Sequence, residues 1–353
     1  MITGPFKYIT MLFSLPYFFV LYIRHALYDT GVLKSTHFPQ VTTIVIGNLN
    51  IGGSGKTPFT KFLYQHLNVA NNVVILSRGY GRKSKGFFEV TSDGSVEQFG
   101  DEALELKQAT GANIFVCESR VDGIREILNR LPSTTIILLD DALQHRKLKS
   151  DIKILLSTYD LPYYKDQLLP FGTLRDIKQA AAYADILVVS KSPNVIQDSD
   201  IVNLHHNAPF QYGESAFFSQ IKYLPVINPE SRKILLDAKN LFVVGVSAIA
   251  KPKFFNQKLG ELFSDTEFYK KLDHSYFTES DCKNIVAILD ESDKENTAVV
   301  CTEKDYNKLN FAKRKYGCNF DLYILPISVN IAFDKEQFFI EALEELIPKE
   351  LKS

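Results

Sequence analysis

The chain has 353 residues, 45% of them apolar and 23% charged, with 40 Lys and Arg against 41 Asp and Glu. Such a composition belongs to a folded chain long enough to bury one or two cores, and the near-zero balance of charge excludes a general electrostatic affinity for nucleic acid. Four cysteines (Cys117, Cys282, Cys301 and Cys318) lack metal-ligand spacing, and two lie in apolar runs, which excludes a disulfide framework and suits a reducing compartment.

The first element breaks the soluble pattern. Residues 8–23 carry no charge, lie between Lys7 and Arg24, and are dense in Phe, Leu, Tyr and Ile. The run is shorter than the roughly 20 residues a spanning helix needs, is interrupted by Pro16 and is followed by no small-residue cleavage site. It is expected to lie in the membrane interface, with Tyr8, Tyr17 and Tyr22 as amphipathic anchors and Lys7 and Arg24 at the headgroups. A helix packed into the core is the alternative.

Next comes an apolar run at 43–46, then Asn50-Ile51-Gly52-Gly53-Ser54-Gly55-Lys56-Thr57, then a helical pattern from Pro58. A strand entering a glycine-rich turn that ends in Gly-Lys-Thr and a helix has the form of a nucleotide phosphate-binding loop. Glycines let the backbone turn its N–H groups to phosphate oxygens, Lys56 supplies a point charge, and the Thr57 hydroxyl suits Mg²⁺. The reading implies ATP or GTP. Asn50 stands where a first glycine is usual, and asparagine tolerates left-handed backbone.

Downstream, buried strands are expected at 72–76, 113–116, 135–139, 152–156, 186–189, 241–244, 298–301 and 322–325. Helices are expected at 58–67, 102–109, 120–130, 253–262, 279–289 and 335–346. Short apolar runs separated by helical stretches indicate a parallel sheet covered on both faces. The fold class is therefore α/β: a P-loop nucleoside-triphosphatase-type sheet, a second, smaller α/β domain and an N-terminal membrane-associated helix. The expected divisions are 1–30 for that helix, 31–216 for the P-loop domain, 217–233 for a linker marked by Pro225 and Pro229, and 234–353 for the second domain, whose last helix could return to the first.

Several polar groups fall at strand ends or helix starts. The strand at 135–139 runs into Asp140-Asp141, the form of a second nucleotide-hydrolase motif that holds Mg²⁺, and Gln144-His145-Arg146 follows at the ligand-binding edge of the sheet. Asp101 and Glu102 open a helix, where they serve either as N-cap and dipole partner or as carboxylates presented to a reacting hydroxyl. The loop Ser77-Arg78-Gly79-Tyr80-Gly81-Arg82-Lys83-Ser84-Lys85 is a solvated basic face or a reader of substrate phosphate. Arg120, close after Glu118, reads in isolation as half of a surface ion pair. His274, beside Asp273, precedes a helix capped by Thr278 and Asp281, and Thr302-Glu303-Lys304-Asp305 has capping-box form.

Taken in order, Gly47-Asn48-Leu49 through Thr57-Pro58, Ser77-Arg78-Gly79-Tyr80-Gly81, Gly100-Asp101-Glu102, Asp140-Asp141-Ala142-Leu143-Gln144-His145-Arg146, Leu168-Leu169-Pro170-Phe171-Gly172-Thr173-Leu174-Arg175, Asp273-His274 and Thr302-Glu303-Lys304-Asp305 resemble the tetraacyldisaccharide 4′-kinases of lipid A biosynthesis over nearly the whole chain. The resemblance implies transfer of the ATP γ-phosphate to the 4′-hydroxyl of an acylated glucosamine disaccharide 1-phosphate. It implies work on the cytoplasmic face of a bacterial inner membrane, with ATP and Mg²⁺ and no obligate protein partner. It makes Asp101 the base, with His274 as its partner and Lys56 on the phosphates, puts Thr57, Asp140, Asp141 and Glu102 at the metal, and turns Arg78, Tyr80, Arg82, Arg120, Gln144 and His145 toward the substrate. Ala142 and Ala103 depart from the family pattern, where glycine and proline are common. The rival reading is a membrane-associated P-loop ATPase that phosphorylates no acceptor.

Overall fold

The computed structural model describes residues 6–207, 215–236, 241–273, 275–292 and 294–348, with the backbone alone at 6–14 and 205. Helix α1 (Phe6–Asp29) leads to β1 (Thr42–Asn48), α2 (Lys56–Leu67), β2 (Val73–Ser77), β3 (Phe88–Glu89), α3 (Val96–Phe99), α4 (Asp101–Thr110), β4 (Asn113–Val116), α5 (Arg120–Arg130), β5 (Ile136–Asp140), β6 (Ile152–Thr158), β7 (Ile186–Ser190), α6 (Asp198–Asn207) and β8 (Ala216–Tyr223). There follow β9 (Leu241–Ser247), α7 (Lys253–Leu262), β10 (Thr266–Lys270), α8 (Glu279–Glu291), β11 (Asn296–Thr302), α9 (Glu303–Tyr316), β12 (Leu322–Leu325), β13 (Ile327–Ile331) and α10 (Glu336–Leu346).

Two sheets result. Nine strands run in the order β13-β8-β7-β6-β1-β5-β2-β4-β3, and four in the order β10-β9-β11-β12. Every residue of β1, β2, β5 and β7 is buried, as expected where helices cover both faces. The register sets Ile46 of β1 beside Asp140 of β5 and Asn48 beside Leu156 of β6, so the turn after β1 opens at the same sheet edge as the paired acids. One core joins β1, β2, β4 and β5 to Phe59, Phe62 and Leu63 of α2. The smaller sheet builds its own around Val244, Val299, Cys301, Ile285 and Leu309.

The division of the chain differs from the expected one. Residues 216–223, placed partly in a linker by the sequence reading, form β8 and continue the large sheet from β7. Beyond β12 the chain re-enters that sheet, with β13 antiparallel to β8. Helix α10 then buries Phe339 and Leu343 in the first core. The smaller domain is thus an insertion between β8 and β13. The return strand falls outside the expected elements because it follows β12 after a single residue, Pro326, and its Ser328 and Asn330 break the apolar run.

Helix α1 runs unbroken through Pro16 and docks on the first domain with one face. Leu21 is buried, Tyr17 donates to the Arg175 carbonyl (2.8 Å), Arg24 donates to the Gln144 carbonyl (2.6 Å) and His25 pairs with Asp176 (2.7 Å). Tyr17 and Arg24 therefore hold the helix to the protein and not to headgroups. Leu15, Phe19, Val20, Tyr22 and Ile23 are exposed. Tyr8 belongs to the stretch described by backbone alone, and Lys7 with it. No helix among the described residues is long and apolar enough to cross a membrane.

Candidate active site

The turn between β1 and α2 has the conformation its glycines were expected to supply. Gly52, Gly53 and Gly55 have φ of 67°, 63° and 81°, and a Cβ built on Gly52 or Gly53 would meet nothing within 4 Å, so the turn faces open space. Asn50 does not take the left-handed backbone expected of it, being absent from the residues with positive φ. It is extended, bridges Leu174, and donates its amide to Asp166 (2.6 Å) and Thr173 (3.2 Å). Glycine is unnecessary there because the turn begins two residues later. The 166–175 loop thereby fixes the entry to the cradle, aided by Ile51 N–H to the Thr173 carbonyl (2.7 Å). Ser190 of β7 holds the other side by donating to the Ser54 carbonyl (2.7 Å).

Lys56 opens α2. Its ammonium lies 3.3 Å from Asn48 Oδ1 and 3.8 Å from Asp141 Oδ1. Asp141 stands just past β5 with φ of 49°, and Arg175 binds it through both terminal nitrogens while also donating to Asn48 Oδ1 (2.7 Å). Burial works against ionisation of Asp141, but the Arg175 hydrogen bonds and the Lys56 charge outweigh it and hold the carboxyl below its ordinary range. Asp140 is opposite in character. Burial, reinforced by Glu102 and Asp141, pushes it up to about 7. Its Oδ1 accepts from Thr60 (3.3 Å), while its buried Oδ2 has no hydrogen-bond partner. Glu102 is likewise raised, by burial and by the negative charge of Asp141 and Asp101 against the lowering effect of Lys56.

Carboxylates whose proton affinity is raised by crowding, beside an orphaned carboxylate oxygen, fit a cation. The buried Ser54 Oγ and Asn48 Nδ2 also lack partners, as polar groups aimed at a polyphosphate would. Among the described residues no three His, Cys, Asp or Glu cluster as a complete metal cage. Mg²⁺ requires none, since it takes one or two carboxylates and completes its shell with phosphate and water.

Asp101 is the first residue of α4, after Gly100. Gly100 has φ of 87°, and a Cβ there would come within 2.7 Å of the Tyr80 carbonyl, so glycine lets the 79–80 turn close on the helix start. Asp101 is not the N-cap the sequence allowed; its Oδ2 accepts from Lys308 of α9 at 2.5 Å. Both side chains are buried. Lys308 was not singled out from the sequence; as the third residue after Asp305 it reads as one more cation in a basic helix. Arg175 stands out in the sequence only as part of a loop motif. Neither is recognisable without the element that faces it.

The side chains that the resemblance turns toward substrate divide into exposed and buried ones. Arg78 and Tyr80 are exposed beside the start of α4. Arg82 turns inward and staples its own loop, donating to the Gly86 carbonyl (2.7 Å) and Ser84 (3.2 Å) and pairing with Glu118 (2.7 Å). Glu118 therefore pairs with Arg82 and not with Arg120, as adjacency suggested. Arg120 is buried, 2% exposed, and its terminal nitrogens donate to the carbonyls of Cys117, Asp140 and Asp141 at 3.1, 3.1 and 3.3 Å. Gln144 donates to the Asn48 carbonyl (2.8 Å). Burial and the nearby Arg120 lower His145 to about 4, which leaves a neutral imidazole whose buried Nε2 has no partner. Thr57 follows Lys56 in the first turn of α2. His274 lies outside the described residues, between Asp273, which pairs with Lys304 (3.1 Å), and the Thr278–Asp281 capping box.

Comparison with known proteins adds three findings. A family model described as tetraacyldisaccharide-1-P 4′-kinase matches residues 6–348. The chain is 33% identical to the tetraacyldisaccharide 4′-kinase of Cytophaga hutchinsonii over 339 residues, 94% of this chain and 93% of that protein. It is also 33% identical to the kinase of the same name from Flavobacterium johnsoniae over 334 residues, 94% of this chain and 95% of that one. Among solved structures it is similar to the "apo" form of LpxK from Aquifex aeolicus in complex with ATP, with a TM-score of 0.73 and 27% identity, covering 97% of this chain and 100% of that one.

Proposed function

The chain belongs to the tetraacyldisaccharide-1-phosphate 4′-kinase family, and from that premise we propose how its site divides the work of phosphoryl transfer. The protein is an ATP-dependent lipid A 4′-kinase, transferring the γ-phosphate to the 4′-hydroxyl of tetraacyldisaccharide 1-phosphate. Phosphoryl transfer has a loose transition state, so the protein's task is to align groups and neutralise charge. The open cradle at Gly52–Gly55 suits the β- and γ-phosphates, with Lys56 at its mouth and the positive end of α2 behind it. Asp140 Oδ2 and the Thr57 hydroxyl would hold Mg²⁺, with Glu102 close by. Mg²⁺ held there would supply positive charge against the phosphates and relieve the crowding of acids around Asp140. Asp141, gripped by Arg175, instead keeps Lys56 aimed along the cradle.

Asp101 is the proposed proton acceptor. A carboxylate is too weak a base to ionise a sugar hydroxyl beforehand. It aligns the oxygen and takes the proton as the O–P bond forms and the bond to ADP breaks. Arg78 and Tyr80, exposed next to the start of α4, would meet the disaccharide and its phosphate, together with neutral His145 and with Gln144, which is tied to the Asn48 carbonyl. Arg82 and Arg120 act indirectly, by shaping the loop and the end of β5. An acceptor with four acyl chains leaves a bilayer at about 0.8 kcal/mol per exposed CH₂, so the enzyme works at the inner-membrane surface, seated by the apolar face of α1.

The observation that carries this reading is the convergence of the cradle, the orphaned Asp140 oxygen and the buried Asp101 at one sheet edge. Radiolabelled ATP incubated with detergent-dispersed acceptor tests it. Label should migrate with the lipid, and Asp101→Asn should lower kcat at least about 100-fold with ATP affinity little changed. Label found only as free phosphate would favour the ATPase reading, and near-normal turnover by Asp101→Asn would remove the base.

A further inference from the structure

We infer that Lys308, contributed by the inserted domain, is a positioning residue for Asp101: it holds the carboxylate in one orientation across the domain boundary. The inference rests on Asp101 being the base and goes beyond it by naming what sets that base. The ammonium sits 2.5 Å from Asp101 Oδ2, with the lysine 3% and the aspartate 8% exposed. Tyr276 of the inserted domain closes over the ammonium, its ring centroid 5.7 Å away.

Three physical arguments separate this pair from an incidental ion pair. A buried pair seldom adds net stability, because desolvation consumes the Coulombic gain, and apolar residues of similar volume would fill the same space as well. What apolar residues would not supply is a charged hydrogen-bond donor aimed at a buried carboxylate oxygen. Fixing Oδ2 also settles the rotation of the carboxyl plane, and with it the direction in which the group approaches a hydroxyl.

The helix that carries Lys308 is itself tied to the first domain. At its start, Glu303 accepts from Lys61 of α2 (2.9 Å) and from the backbone N–H of Ile327 (2.9 Å), where the chain re-enters the large sheet. Thr302 caps the same turn. Lys308 lies little more than a turn farther on, above the start of α4. Helix α9 thus spans the boundary with one end pinned at the re-entry point and its lysine on the base, so Asp101 is fully set only when the two domains are apposed. Lys308 takes no part in bond making.

A double-mutant cycle in the full chain, assayed with ATP and dispersed acceptor, tests this. Lys308→Met should lower kcat about 10- to 100-fold, the scale of a misplaced reacting group, with KM for ATP within a few-fold of normal. Lys308→Arg should recover much of the loss. Adding Lys308→Met to Asp101→Asn should cost less than a few-fold more, because a residue that acts through Asp101 has nothing left to act on. Circular dichroism checks folding, and Lys308→Gln replaces Met in the cycle if the Met variant unfolds. Additive losses in the cycle, or no recovery by arginine, would overturn the inference in favour of a purely structural pair. Normal kcat in Lys308→Met with a crippled Asp101→Asn would overturn it and leave the base standing. Near-normal kcat in Asp101→Asn would overturn both.

Discussion

Replacing Arg120 by methionine separates two roles for a residue that the family resemblance sends to the substrate. The guanidinium is the hydrogen-bond partner of three backbone carbonyls, two of them at the end of β5 where Asp141 takes a left-handed conformation. Leaving a carbonyl buried and unsatisfied costs about 1–3 kcal/mol, so the three together put roughly 5 kcal/mol at stake. Against this stands relief from burying the charge. Burial lowers Arg120 to about 10 from its ordinary 12.5, which at 1.36 kcal/mol per unit is worth roughly 3 kcal/mol. The difference predicts a net loss of about 2 kcal/mol, seen as a lower urea midpoint by far-UV circular dichroism. Because the carbonyls belong to Asp140 and Asp141, the affinity for Mg·ATP should fall with stability, while KM for the acceptor lipid stays near normal. Arg120→Lys keeps the charge but not the planar fork, and should fall between. An unchanged midpoint with a raised acceptor KM would refute the reasoning and return Arg120 to the substrate.

Two further outcomes follow from other parts of the molecule. Glu105 of α4 is pushed up to about 8 by burial and by the charges of Glu303 and Glu102, against the lowering effect of Lys304 and Lys61. The folded chain therefore keeps a proton that the unfolded chain releases near 4.5. The stability tied to that proton is full below pH 4.5 and is lost as the pH rises through 8. Glu105→Gln should flatten this decline between pH 5 and 9 in melting experiments, and identical pH dependence in both proteins would show that Glu105 titrates normally. On α1, Phe19, Val20 and Ile23 are 54%, 63% and 54% exposed. Replacing all three with serine should remove about 1 kcal/mol of burial each and weaken binding to anionic vesicles roughly 100-fold without lowering the unfolding midpoint. Undiminished vesicle binding would mean that another surface seats the enzyme. Substitution is the cleaner test than deletion, since removing the helix would also strip Leu21 from the core and Tyr17 from Arg175.

How much was legible in the chain itself depends on the range of the interaction concerned. The cradle, the strand that enters it and the helix that leaves it are contiguous, so glycine conformational freedom and apolar periodicity identified them, and Gly52, Gly53 and Gly55 adopt the positive φ that their positions required. The strand at Asn113–Val116 and the helices at Arg120–Arg130 and Lys253–Leu262 likewise have the bounds that local pattern suggested. Local pattern did not carry a side chain's partner. It offered Glu118 to Arg120 because they are neighbours in sequence, whereas folding gave Glu118 to Arg82 and turned Arg120 onto carbonyls twenty residues away. It offered Asn50 a left-handed turn, whereas Asp166 holds it as an extended anchor. It passed over Lys308, whose partner is 207 positions distant, and over the return strand β13, whose pairing with β8 requires the inserted domain to be folded out of the way. The kind of group that each position offers was set when its residue type was chosen. Which groups meet was set by topology, because desolvation and hydrogen bonding act between neighbours in space, and a sequence orders neighbours only along one dimension.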